Sequence, residues 1–170
     1  MARAMNVADY IIRSAIRNKK PISNLQLQKI SYFLNVISLI SHDVGLIDDE
    51  HFSKWKYGPV LPDVYSEYST YGAEVIAKVK EHETVDIDND GKIIFDTYTF
   101  NSEEDLDLNE RKLINNNIKL FLDYDPFYLV EESHKEDQYS DHTTPEYSDD
   151  KTIDYYSQRR NQFWLDNHDS

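Results

Sequence analysis

A run of apolar residues at positions 25–40 constrains the fold of this chain more than any other feature. Leucine, isoleucine, valine and phenylalanine recur so closely there that they cover most of the circumference of a helix. A helix that is apolar nearly all round is a buried helix, so other elements must surround it. Ser23 and Gln26 match the capping box that begins a helix. We therefore predict a central buried helix over residues 24–41.

Helical patterns flank this central helix on both sides. Residues 6–17 form an amphipathic pattern that Asn6 is expected to cap. Pro62 is well placed as the first residue of a short helix that ends near Gly72. Further helical segments are predicted at residues 73–79, 102–122 and 126–133, and from Ser148 towards a C-terminal end that frays beyond Asp166.

Alternating apolar residues around Asn89, Asp90 and Gly91 predict a β-hairpin. Because two strands alone are marginally stable in water, we expect this hairpin to lie on the helices. The predicted fold is therefore mainly α with a small antiparallel β-hairpin, an α+β class. The length of 170 residues predicts a single compact domain over residues 1–170.

The turn of this hairpin also matches the first half of a calcium-binding EF-hand loop. Asp86, Asp88, Asp90 and Gly91 have the required spacing. The twelfth position, however, is Thr97, where calcium needs a bidentate glutamate. Aspartate side chains also bond to their own backbone in ordinary turns. A hairpin turn is therefore favoured over a calcium site, and no metal ligand is predicted.

The charge of the chain is acidic and unevenly distributed. The net charge is −14, made up of +5 over residues 1–41 and −19 over residues 42–170. The acidic part should repel nucleic acid and attract a basic protein partner. The alternative is that the acidic residues only keep the protein soluble. Lys19 and Lys20, in the basic part, are interpreted as a solvated helix end rather than as a phosphate site.

The residue types and motifs that the chain lacks narrow its function. It has no cysteine, which excludes disulfides and a cysteine nucleophile. It has no phosphate-binding glycine series, no nucleophile elbow and no zinc-binding histidine pair. No apolar run reaches transmembrane length, so we expect a cytoplasmic protein without a membrane partner.

These absences predict a protein that is not an enzyme, with no catalytic residue and no cofactor. One alternative stays open, a hydrolase in which His134 works with nearby acids. Asp141 and His142 are close to His134 in the sequence and provide the groups of an acid–base pair. Proximity in a polar segment is the only support for this alternative.

Residues 52–65 concentrate four aromatic residues, two prolines and a glycine. Gly58 permits unusual backbone angles and Pro59 fixes its own φ, so a tight corner is expected here. Large aromatic rings serve both as interface anchors and as core residues. The corner is therefore either a core clasp or a recognition surface.

Three segments resemble the Panacea domain family, which includes SocA-like antitoxins and phage-associated GepA-type proteins. The segments are residues 7–12 (VADYII), 22–33 (ISNLQLQKISYF) and 55–65 (WKYGPVLPDVY). These core motifs lie within residues 5–75, where their order and length make the resemblance specific.

The resemblance weakens towards the C-terminus. Residues 129–139 are similar to a later family segment, with Ser133 and Tyr139 in place of its threonine and tryptophan. The rest of residues 125–170 diverges from the family pattern. We expect this part to be specialised.

The resemblance implies a mostly helical domain without enzyme activity or cofactor. Family members are antitoxins, which implies a non-catalytic protein-binding module that neutralises a cognate toxin by direct binding. One alternative is a proteolytic adaptor that delivers the toxin to a cellular protease. Another is an acidic phage or mobile-element inhibitor of a nucleic-acid-binding host or defence protein.

The aromatic corner and the central helix supply the candidate site residues. The candidate partner contacts are Tyr57, Val60, Asp63, Tyr65 and Tyr68. The candidate structural residues are Leu25, Gln28, Trp55, Gly58, Pro59 and Pro62. Within the structural set we expect Trp55 and Pro59 to be mainly buried.

Overall fold

The structure is a computed structural model that describes the backbone of residues 1–168 and the side chains of residues 1–166. The fraying expected beyond Asp166 therefore lies largely outside the description. The helices are α1 (Ala4–Arg17), α2 (Asn24–His42), α3 (Pro62–Glu67), α4 (Ser102–Asp105), α5 (Leu108–Asn117), α6 (Lys119–Leu122), α7 (Pro126–His134), α8 (Asp137–Ser140) and α9 (Asp149–Tyr156). The strands are β1 (Ser53–Trp55), β2 (Gly58–Val60), β3 (Glu81–Ile87) and β4 (Ile93–Thr99).

Helix α2 is the central element, as the sequence predicts. Its capping box is formed, because Ser23 Oγ accepts the Gln26 N–H and Gln26 Oε1 accepts the Ser23 N–H. Asp43, in a left-handed conformation with φ of 58°, ends the helix. Helices α1, α5, α7 and α9 and strand β2 pack around it. This shell buries α2 along most of its length, as its all-round apolar sequence requires.

Helix α1 begins three residues earlier than the predicted Asn6 cap implies. Arg3 is the N-cap and makes no capping bond with its side chain, whereas Asn6 is buried inside the helix. The predicted Asn6 cap is therefore wrong. A carboxylate from a distant loop replaces it, because Asp49 Oδ1 accepts the Ala4 N–H at 2.7 Å.

The predicted β-hairpin is present as β3 and β4, paired antiparallel over seven residues each. The turn interpretation is confirmed, because Asp88 Oδ1 accepts the N–H groups of Asp90 and Lys92. The expectation that this hairpin lies on the helices is wrong. Only His82 is buried and only Tyr98 is half-buried in its strands, so the hairpin projects into solvent.

Two predicted helical segments are corrected by the structure. Residues 73–79 are not helical: Val75 forms an antiparallel bridge with Ser23, and the Ile76 N–H donates to the Ile22 carbonyl at 2.8 Å. The predicted helix over 102–122 is three short helices. Asp107 interrupts it by forming a new capping box with Glu110, which starts α5.

The C-terminal part of the chain closes the core. Ser148 caps α9, as predicted, by accepting the Lys151 N–H. Beyond α9, Phe163 and Trp164 are buried and contact the ring of Phe33 on α2. The predicted class, mainly α with small antiparallel β elements, is confirmed. Among the described residues, no helix is both long and apolar enough to cross a membrane.

Candidate functional site

Strands β1 and β2 form a second, very short hairpin at the aromatic corner, with Trp55 opposite Gly58. Gly58 has φ of +85°, a conformation that side-chain-bearing residues rarely adopt. A Cβ on Gly58 would overlap Ser133 Oγ on α7. The corner therefore needs glycine twice, for its backbone angle and for its close approach to α7.

Helix α2 holds the other side of the corner through two buried polar residues. Lys29 Nζ donates to the Pro59 carbonyl at 2.7 Å. Gln28 Oε1 accepts the Leu61 N–H at 2.9 Å, and Gln28 itself is held by Asn24 Oδ1. Strand β2 thus lies between α2 and α7, fixed by bonds to its backbone.

Lys29 is fully buried, and burial lowers the pKa of its ammonium group to about 7. Among the described residues, the Pro59 carbonyl is its hydrogen-bond acceptor, and no carboxylate is paired with it. The protonated form of Lys29 is therefore costly in the folded protein. Lys29 is one of the residues that hold the aromatic corner in place, through its bond to the Pro59 carbonyl.

We expect this cost to appear as a pH dependence of stability. Between pH 7 and 9 the unfolded chain keeps a proton on Lys29 that the folded protein has lost, so this residue makes the folded state more stable as pH rises. The contribution is about 2 kcal/mol over that interval. Urea unfolding at the two pH values should show the rise in the wild type and in Lys92→Met, an exposed control. It should be missing in Lys29→Met; an equal rise in Lys29→Met would contradict the assignment.

His134 lies beside the corner as a packing residue. Its ring stacks on Tyr139 with centroids 4.1 Å apart, and Tyr139 Oη donates to the Lys56 carbonyl. Burial lowers the pKa of His134, which favours the neutral imidazole. Asp141 bonds instead to Thr143 and Lys151. The structure therefore does not bring His134 and Asp141 together as an acid–base pair.

Four exposed aromatic rings lie at the corner and at the adjoining start of α7. Trp55, Tyr57, Tyr65 and Phe127 are 40%, 47%, 39% and 57% exposed. Trp55 meets Tyr65 edge-to-face at 5.1 Å, and Tyr57 meets Phe127 edge-to-face at 6.0 Å. We call these four residues the aromatic surface. Rings that pair in this way present large area with little freedom left to lose on binding.

The structure separates the predicted site residues into two groups. Tyr57, Asp63 and Tyr65 are exposed, whereas Val60 and Tyr68 are buried, so those two are not surface contacts. Tyr68 Oη donates to the buried Asp9 carboxylate at 2.5 Å. The tyrosine hydroxyl satisfies a core carboxylate, which explains why this polar ring turns inward.

The predicted structural residues are also divided. Gly58, Pro59 and Gln28 are buried, and Leu25 and Pro62 are half-buried. Trp55 is exposed, so the expectation that it is buried is wrong. The Trp55 ring packs edge-to-face on the exposed Tyr65 ring instead of entering the core.

Sequence reasoning missed Phe127. It follows Pro126 in the first turn of α7, which Asp125 caps by accepting the Phe127 N–H at 2.8 Å. The available signal was an aromatic residue directly after Pro126, at the start of a predicted helix. Its pairing with Tyr57, seventy residues earlier, comes only from the tertiary fold.

Lys56 and Asp63 border the aromatic surface with opposite charges. The Lys56 ammonium group lies 5.4 Å from the Tyr57 ring centroid. Asp63 is exposed on the first turn of α3, and its N–H donates to Glu50 Oε1. Exposed apolar rings with a polar border are the usual composition of a protein interface.

The family model of the "Antitoxin SocA-like, Panacea domain" matches residues 27–139. This chain belongs to the SocA-like Panacea domain family. The matched range of this Panacea domain includes the corner, the Lys29 anchor and the α7 face beneath Gly58, and it ends at Tyr139. All four residues of the aromatic surface lie within it.

Antitoxin SocA of Caulobacter vibrioides (strain NA1000 / CB15N) is similar to this Panacea domain. The two are 38% identical over 73 residues, which cover 43% of this chain and 38% of the relative. The matched segment thus spans less than half of the length of that protein. No solved structure matches the chain.

Proposed function

We propose that this Panacea domain is an antitoxin-like, non-catalytic module that neutralises a cognate toxin by binding it through the aromatic surface. The observation that carries the proposal is two pairs of exposed rings at the corner and the adjoining start of α7, in a chain that belongs to an antitoxin family. The name of the relative, Antitoxin SocA, points the same way.

The chemistry of the aromatic surface supports binding. Tryptophan and tyrosine are enriched among the few interface residues that carry most of the binding energy. Exposed clusters of this kind on a soluble domain commonly mark interaction sites. Because β2 is fixed by Lys29, Gln28 and the α7 contact, little conformational entropy is lost when a partner docks.

The charge of the chain supports a basic partner. Residues 42–170 carry a net charge of −19, which accelerates association with a positively charged protein. Toxins that act on nucleic acid or ribosomes have surfaces of that kind. The same charge favours a second candidate function, an acidic inhibitor that competes with nucleic acid for a host or defence protein.

Co-expression with the product of a neighbouring toxic gene tests the antitoxin proposal. We expect the wild-type domain to restore growth and Tyr57→Ala/Phe127→Ala to fail, because truncating two interface rings removes most of the anchoring contact. Leu108→Ala is the matched control, since Leu108 is 55% exposed on α5 outside the aromatic surface. Growth that the wild type does not restore would overturn the function. If the double variant restored growth as well as the wild type does, the aromatic surface would not be the toxin-binding site.

A further inference from the structure

A second surface lies on the hairpin formed by β3 and β4, residues 81–99, which we call the arm. Its strands are paired from Glu81 with Thr99 at the base to Ile87 with Ile93 at the tip. Nearly every strand residue is exposed on both faces. An isolated two-stranded ribbon is marginally stable in water, so a projecting arm of this length calls for a function.

The arm is attached firmly at its base. His82 is buried between two carboxylates, with Nε2 2.6 Å from Asp9 Oδ2 and Nδ1 3.2 Å from Glu67 Oε1. The bond to Asp9 raises the pKa of His82. The charged imidazolium, which hydrogen-bonds through both ring nitrogens, is therefore favoured. On β4, Tyr98 Oη donates to Asn6 on α1. These bonds fix the direction in which the arm leaves the helices.

One face of the distal arm is entirely apolar. Val85 lies opposite Phe95, and Ile87 lies opposite Ile93, so alternation places all four side chains on the same face. They are 64%, 76%, 66% and 55% exposed. Four neighbouring large apolar side chains this exposed form a patch rather than scattered surface residues.

Acidic side chains flank this patch and occupy the opposite face of the arm. Glu81 and Glu83 precede Val85 on the apolar face, whereas Asp86 and Asp96 lie on the other face. Within residues 81–99 there is one lysine, Lys92, and the acidic residues are Glu81, Glu83, Asp86, Asp88, Asp90 and Asp96. Apart from His82, whose charge is paired with the buried Asp9 carboxylate, the arm carries a net charge of −5. An apolar face backed by an acidic face is complementary to an extended segment that carries apolar side chains on one face and basic side chains on the other.

The same charge argues against the other occupants of the patch. A second copy of the chain would bring two arms of charge −5 together and is disfavoured by like-charge repulsion. Nucleic acid is repelled for the same reason. Anionic membrane surfaces attract basic segments and repel this one.

The backbone of the arm has hydrogen-bonding groups along its outer strand edges that pair with no other described strand. In the described part of the chain, β3 and β4 pair only with each other, which leaves the outer edge of each strand open. Open edges accept an added strand, in which main-chain bonds give affinity and alternate side chains give specificity. An extended partner segment therefore fits the arm better than a helix does.

We propose that the arm is a docking site for an extended basic segment of another protein, in which apolar side chains alternate with lysine or arginine. The apolar side chains of the segment lie along Val85, Ile87, Ile93 and Phe95, and its cations meet the acidic side chains on the opposite face. This site is separate from the aromatic surface and does not depend on it.

A titration of the full-length protein with a model segment tests the proposal. The probe is a synthetic peptide of about ten residues in which valine alternates with lysine. We expect changes in the NMR chemical shifts of backbone amides that are confined to residues 81–99. Affinity should fall about tenfold in Val85→Thr/Phe95→Thr, which keeps strand-forming residues. Raising the salt from about 0.05 M to about 0.5 M should also weaken binding.

Ile94→Thr is the matched control, because Ile94 is 44% exposed on the opposite face of the same arm and its loss should leave binding unchanged. The proposal is overturned by undetectable binding, by equal affinity of the double variant, or by equal binding of a peptide with glutamate in place of lysine. It is also overturned if sedimentation shows a dimer that the double variant loses, since the occupant is then a second copy.

Discussion

Replacing Gly58 with alanine is expected to lower the free energy of unfolding by about 2–5 kcal/mol. About 1–2 kcal/mol comes from placing a side chain at a positive φ, which is +85° at this residue. A further 1–3 kcal/mol, roughly, comes from overlap of the new methyl group with Ser133 on α7. Ser133 cannot give way easily, since it is fully buried and bonded to the Val130 carbonyl. Urea unfolding of the variant measures the loss.

Gly91→Ala is the matched control for this prediction. Gly91 also has a positive φ, of +78°, but its Cβ position has no atom within 4 Å. It should therefore lose only the conformational part, about 1–2 kcal/mol. Equal losses at Gly58 and Gly91 would show that the close approach to α7 contributes nothing.

Replacing Glu136 with alanine is expected to cost about 3–5 kcal/mol of stability. Its buried carboxylate accepts bonds from Tyr32 Oη at 2.6 Å, Tyr156 Oη at 2.9 Å and Gln138 Nε2 at 2.7 Å. Without the carboxylate, these buried donors lose their hydrogen-bond acceptor. The shorter side chain also leaves a cavity beside α2 and α9. Asp137→Ala, at an exposed neighbouring position, should change stability by about 0.5 kcal/mol or less.

Glu136→Gln separates the charge of this residue from its hydrogen bonds. Burial raises the pKa of Glu136 to about 6 from an ordinary value of 4.5. The folded protein therefore binds this proton first as pH falls, and stability gains about 2 kcal/mol between pH 7 and 4. The gain is complete below pH 4.5 and lost as pH rises through 6. The wild type should show it relative to Glu136→Gln, and parallel pH profiles would refute it.

The sequence predicted the elements whose signals are local. Helix α2 begins at the capping box that Ser23 and Gln26 predict. Its apolar side chains are buried around most of the helix. The hairpin at Asp90 and Gly91 is present because turn chemistry and alternation act over a few residues. Pro62 starts α3 for the same kind of reason.

The sequence misled where long-range contacts decide. Alternation in the arm predicts one buried face, but the structure leaves that face in solvent. Trp55 and Tyr68 are both aromatic candidates at or near the corner, and only the structure shows that Tyr68 turns inward to bond to the buried Asp9 carboxylate. Buried Lys29 and Glu136 gave no local signal, since Lys29 bonds to Pro59, 30 residues away, and Glu136 accepts a bond from Tyr32, 104 residues away.

Buried residues hold the aromatic corner in a fixed position, which matters for the proposed function. Lys29 and Gln28 bond the backbone of the corner, and Gly58 seats it on α7. The aromatic rings outside are therefore held by a buried framework rather than by a flexible loop. Variants of the framework should reduce stability, whereas variants of the rings should reduce partner binding and leave stability nearly unchanged.

Calorimetric titration of the purified toxin-gene product against this domain tests the central claim most directly. The account predicts tight binding by the wild type and by Leu108→Ala, and at least about tenfold weaker binding by Tyr57→Ala/Phe127→Ala with an unchanged unfolding midpoint. Equal affinity of the double variant and the wild type would contradict the claim that the aromatic surface is where the partner binds.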